Sequence, residues 1–193
     1  MSLIYTNRKD KTYFLCQGVT KNGNPRYFFS REPQGTPLDA LPDGYVIQES
    51  INGVVSLAKQ QPGQLSEQEI TAVTSALAAH PKTKSFRAEV RHKVITLYER
   101  EWEECEQLDD EMDYSPLFLR KLQRASEEKR LQFSPIMRFT LVDVAHRYFV
   151  AERMRFSGMT RWITVSAYEP IDKLAPRLIA VLGTDQFYEL YPH

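Results

Sequence analysis

The sequence predicts an α+β protein: an N-terminal antiparallel β meander followed by a larger antiparallel sheet with three to four helices. Three observations carry this. Asn22-Gly23 and Asn52-Gly53 lie between apolar, strand-like runs, the strongest short-range signal for a hairpin. Ser66-Glu67-Gln68-Glu69 opens a stripe of apolar residues at helical spacing. The strand-like runs then follow one another without the regular strand–helix alternation that builds a parallel sheet.

Thr12 to Thr20 reads as the first strand, with Tyr13, Leu15 and Val19 on one face and Phe14 and Cys16 on the other. Lys21-Asn22-Gly23-Asn24-Pro25 is its turn, because Asn and Gly accept the positive φ that a tight hairpin needs. Arg26 to Arg31 returns. Residues 33 to 44 hold Pro33, Gly35, Pro37, Pro42 and Gly44 and read as a loop. Tyr45 to Glu49 and Val54 to Ala58 form the next hairpin around Asn52-Gly53. The polar stretch 60 to 64, with Pro62-Gly63 inside it, divides a small β module over 1–60 from an α+β domain over 65–193.

Ser66 caps a helix and Glu69 completes its capping box, with Leu65 and Ile70 placed to close as a hydrophobic staple. Ile70, Val73, Leu77 and His80 share one stripe, and Pro81 ends the helix. Residues 84 to 100 fit two periods: Phe86, Val90, Val94 and Tyr98 share a helical stripe, but the alternation of charged and apolar side chains and the β-branched run Val94-Ile95-Thr96 favour a hairpin turning near Arg91-His92-Lys93. Ser115-Pro116 starts a helix over Leu117 to Arg130. Three strands follow at Ile136–Val144, Tyr148–Phe156 and Trp162–Ala167. A short helix with Pro176 in or near its first turn runs to Leu182 and stops at Gly183, and Phe187 to Tyr191 reads as a last strand.

The net charge of the 193 residues is zero, yet the charge is segregated. Residues 1 to 33 carry six Lys and Arg against two acids, interleaved with Tyr5, Tyr13, Phe14, Tyr27, Phe28 and Phe29. Residues 99 to 113 carry nine acids against one Arg, and Trp102, Cys105, Leu108 and Met112 recur there at helical spacing. Such segregation speaks of partners. No apolar run reaches the roughly 18 residues of a membrane span, and the first residues lack the apolar core of a secretory signal. The two cysteines, Cys16 and Cys105, are too few for a structural zinc site and read as reduced thiols. A cytoplasmic location and no membrane partner are the resulting expectations.

No motif names a reaction, a metal or a cofactor. The four histidines lack ligand spacing, and there is no Gly-rich phosphate loop. The leading expectation is therefore a protein that acts by binding, either a protein partner or its own copy, ahead of an enzyme. Two alternatives have named residues. In the first, Lys11, Lys21, Arg26 and Arg31 share a face and bind nucleic acid beside exposed aromatic rings. Against it, a module of this size needs those rings for its own core. In the second, a metal-dependent hydrolase or nuclease uses Asp143 and Glu152. A turn centred on His146-Arg147 makes these two carboxylates diagonal neighbours, roughly 7 Å apart, on an apolar face. Against it, no Lys follows Glu152 where a nuclease site places one, and Arg138, Arg147, Arg153, Arg155 and Arg161 offer structural ion pairs.

Overall fold

The computed structural model describes residues 2–101, 131–155 and 161–190. The fold is α+β, with three antiparallel sheets and, among the described residues, three helices. Two compact units divide the chain between Gln60 and Gln61; Leu131 and Gln132 belong to the first. The acidic segment beyond Glu101 and the helix expected over Leu117–Arg130 lie outside the described residues.

In the first unit, β2 (Thr12–Val19) is the centre. It pairs with β3 (Pro25–Ser30) along one side, and with β1 (Ile4–Thr6) and β4 (Thr36–Pro37) along the other. Leu15 and Cys16 are both fully buried, so both faces of β2 are covered at its middle. β5 (Tyr45–Glu49) and β6 (Val55–Lys59) form a separate hairpin. Asn7 ties the pieces together. Its Oδ1 accepts the backbone N–H groups of Lys9 and Lys11, and its Nδ2 donates to Gly53 O at 2.5 Å. Gly53 has φ 77°, and a Cβ there would meet Asn7 Nδ2 at 3.0 Å, so the turn needs glycine for conformation and for space. Glu49 makes a second tie. It accepts from Tyr5 Oη at 3.0 Å and from Arg8 Nε at 2.7 Å.

In the second unit, five strands form one antiparallel sheet in the order β11-β10-β9-β8-β7. These are β7 (Phe86–Arg91), β8 (Val94–Arg100), β9 (Phe133–Asp143), β10 (Tyr148–Arg155) and β11 (Arg161–Thr164). Helices α1 (Glu67–Ala79) and α2 (Ile171–Ile179) supply Val73, Leu77, Leu174 and Leu178 to the core, which meet Ile95, Leu97, Phe139, Leu141, Phe149 and Ala151 of the sheet. The α1 capping box is complete, and Leu65 and Ile70 both pack on this core. The hairpin expected over 84–100 turns at His92-Lys93, with His92 at φ 49°.

Four local expectations are corrected. Pro176 is the sixth of nine residues in α2, not in its first turn, so its missing N–H falls inside the helix. Phe187–Tyr191 is not a strand: Asp185–Tyr188 forms the short helix α3, whose end is held by Arg153 donating to Tyr188 O at 2.9 Å and Leu190 O at 3.0 Å. The 136–156 hairpin has a four-residue turn, with Asp143 opposite Tyr148. A bulge between Tyr148 and Phe149 then shifts the register by one, which turns Phe149, Ala151 and Arg153 toward the core and Val150, Glu152 and Met154 to the other face. Asp143 is opposite Tyr148, whereas Glu152, four residues further along β10, is opposite Arg138, so the two carboxylates are roughly 13 Å apart along the sheet and not diagonal neighbours.

Candidate functional site

Polar chemistry gathers at one end of the five-stranded sheet. The β7–β8 turn, the β9–β10 turn and the N-terminus of α1 meet there. Lys93 O accepts from Leu141 N–H at 2.9 Å, which fixes the first turn to β9. Gln64 N–H donates to His92 O at 3.1 Å, and His92 Nδ1 lies 3.2 Å from Pro62 O. A carbonyl oxygen only accepts, so Nδ1 carries the proton.

The β9–β10 turn is fixed from both ends. Asp143 accepts the His146 backbone N–H at 2.9 Å and lies 2.8 Å from His146 Nδ1. The backbone bond, then the ring contact, holds the Asp143 carboxyl below its ordinary range. Arg147 adopts φ 56°, a left-handed conformation uncommon for a long side chain. There its guanidinium reaches Glu69, with Nε at 2.8 Å and Nη2 at 2.5 Å, and Nη2 also donates to Gln64 O at 3.0 Å. Burial pushes the Glu69 carboxyl up, but Arg147 and the Ser66 N–H outweigh it, and the group titrates below its usual value. Glu69 thus serves twice, in the capping box of α1 and as the anchor of a turn 78 residues further along.

This rigid frame carries apolar side chains into water. Val142 is 45% exposed, Val144 55% and Tyr148 39%, and the His146 ring stacks on Tyr148 with centroids 5.8 Å apart. Exposed Arg91, His92 and Lys93 stand on the neighbouring turn.

The residues expected to act are placed as follows. Asp143 is on the tip just described, and Glu152 is engaged elsewhere. Arg138 Nε and Nη2 grip both Glu152 oxygens at 2.6 and 3.0 Å, and the same guanidinium lies 4.4 Å over the Trp162 ring. The two carboxylates are not brought together, and among the described residues no three His, Cys, Asp or Glu gather in a way that could hold a metal ion. Lys11 and Lys21 stand beyond opposite ends of β2, roughly 30 Å apart on the rise of an extended strand. Arg26 is opposite Gly18 near the Lys21 end, with its guanidinium 5.8 Å over Phe28. Arg31 follows Ser30, which is opposite Phe14 near the Lys11 end. The four cations therefore form two pairs, and Tyr13, Tyr27, Phe28 and Phe29 are half-buried.

The sequence pattern marks Glu69 as a capping residue and Arg147 as an ion-pair candidate, but it neither joins the two nor singles out Val142 and Val144. The ion pair joins positions far apart in the chain, and no local pattern announces it. No family model matches this chain, and neither curated proteins nor solved structures yield a match.

Proposed function

We propose that this is a cytoplasmic protein that acts by binding a protein partner, with the β9–β10 tip as its contact. One observation carries the reading: Val142, Val144 and Tyr148 are exposed together on a turn whose backbone is held by Asp143 and Arg147. Large apolar side chains in water cost about 25 cal/mol per Å² of surface, and association recovers that cost. A turn already fixed loses little further entropy when a partner docks. Arg91, His92 and Lys93 on the adjacent turn suit a partner whose apolar patch is bordered by acids.

The experiment is photo-crosslinking from position 144 of the full chain in the cytoplasm of its source, with position 19 as control. Val19 is more exposed, at 72%, but stands on a different sheet. The expected result is one protein captured from 144 and not from 19. Once purified, it should bind the parent and lose at least about tenfold in affinity to Val144→Asp, a change of roughly 1.4 kcal/mol. Equal capture from both positions, or equal binding by the variant, overturns the reading. Salt-dependent binding of labelled RNA or DNA that falls with Lys21→Ala or Arg26→Ala would replace it with the nucleic-acid alternative.

A further inference from the structure

β7 is an edge of the five-stranded sheet; among the described residues no strand pairs with its outer side. An edge is a row of unpaired backbone donors and acceptors, and natural proteins commonly blunt it with charge. The charges on β7 have an unusual order for that purpose. Along Phe86-Arg87-Ala88-Glu89-Val90-Arg91, the core face shows Phe86, Ala88 and Val90, and the other face shows Arg87, Glu89 and Arg91. Plus, minus, plus at every second position repels a uniformly charged strand. It does not repel its own antiparallel copy.

Register decides the match. Pairing about Ala88 sets Arg87 opposite the copy's Glu89 and Glu89 opposite its Arg87. On the other face it sets Phe86 opposite Val90 and Ala88 opposite itself. Every cross-strand pair among positions 86 to 90 is then like with like or plus with minus. Pairing about Glu89 sets acid on acid and Arg87 on Arg91. Pairing about Val90 sets Arg87 on Lys93. A one-residue slip sets apolar side chains against charged ones. The other edge, β11, reads Arg161-Trp162-Ile163-Thr164 and has no acid to answer its arginine.

The side chains are ready for this pairing. Val90 is 40% exposed and would stand opposite the copy's Phe86, next to the apolar face of the joined sheet. Glu89 is held by Tyr98 Oη at 3.0 Å and Arg91 Nη2 at 2.9 Å, and a carboxylate accepting two bonds has lone pairs for more. Arg87 spends Nη1 on Phe86 O at 2.9 Å and keeps its other donors.

We infer that the chain pairs with a second copy of itself through β7, antiparallel about Ala88, so that the two sheets become one. The two-fold axis stands perpendicular to the sheet, and the helices of both copies lie on the same side. The pairing uses positions 86 to 90 and none of Val142, Val144 or Tyr148, so neither reading depends on the other.

Sedimentation equilibrium of the full chain, up to on the order of 100 µM, tests the pairing. The parent is expected to form a dimer. Arg87→Glu sets acid on acid twice and weakens the dimer by roughly tenfold or more, and Arg87→Glu with Glu89→Arg restores it. Ala88→Cys is expected to give an oxidised, covalent dimer, since residues directly opposite in antiparallel strands have Cα atoms about 4.5–5.5 Å apart, within disulfide reach. A parent that stays monomeric overturns the inference. So does a dimer that is indifferent to Arg87→Glu and is not linked by Ala88→Cys.

Discussion

The two compact units reach order by different means. The second has a continuous apolar core, in which Phe139, Phe149, Leu97 and Leu174 are completely buried between sheet and helices. In the first, the fully buried apolar residues among those described are Leu15 and Cys16, with Val55 close behind. Its described residues are joined by polar ties as well: Asn7 to three backbone groups, and Glu49 to Tyr5 and Arg8. The turns of the β module are specified by side-chain-to-backbone bonds, whereas the helix-backed sheet relies on burial.

The difference breaks most openly under truncation of the larger core. Phe139→Ala removes a ring from the middle of the sheet and is expected to cost about 3–5 kcal/mol, read as a lower urea midpoint with an unchanged slope. A loss below about 1 kcal/mol would mean that burial is not what holds the second unit. Next comes Asn7→Ala. It leaves the N–H groups of Lys9 and Lys11 and the carbonyl of Gly53 without their partner. An unmatched buried polar group costs about 1–3 kcal/mol, and these groups can turn partly to water, so about 2 kcal/mol is expected. Amide exchange should speed up first at Lys9 and Lys11, whose N–H groups Asn7 accepts. Unchanged protection there would remove Asn7 as the organiser of the first unit.

Legibility in the sequence follows the same division between local and distant causes. The capping box of Ser66 and Glu69, both Asn-Gly turns and the turn at His92 are written within a few residues, and each forms where the pattern sets it. The β9–β10 register is not written locally. Its bulge falls at Tyr148-Phe149, without a Gly or Pro to mark it, and one extra residue reverses which side chains of β10 face the core. The turn itself is what separates Asp143 from Glu152: it sets Asp143 opposite Tyr148, four residues short of Glu152. The left-handed Arg147 has the same character: its conformation answers to Glu69, which no neighbouring residue reveals. Side-chain parity along a strand is only as secure as the turn that sets it.

The smallest effect compares one carboxylate from each unit. Glu49 and Glu69 both titrate below their ordinary value. In each, burial acts to raise the group, and bonds to an Arg and to neighbouring donors outweigh it. A folded-state value below the unfolded one means the unfolded chain binds protons more readily. The stability each contributes is therefore present above the unfolded value and lost as pH falls through the folded one. Arg8 is 53% exposed against 37% for Arg147, so water screens the Glu49 pair more. Glu69 also closes a capping box, whose loss is typically worth about 1 kcal/mol. Glu69→Ala removes both the box and the ion pair and is therefore expected to cost about 1 kcal/mol at neutral pH and to flatten the acid limb of a stability profile, while Glu49→Ala does the same to a lesser degree. Thermal unfolding of the two variants and the parent between pH 3 and 7 reads both effects. Equal loss in the two variants would show that the capping role of Glu69 adds nothing to its ion pair. Parallel acid limbs in variant and parent would show that these carboxylates are not what acid unfolds.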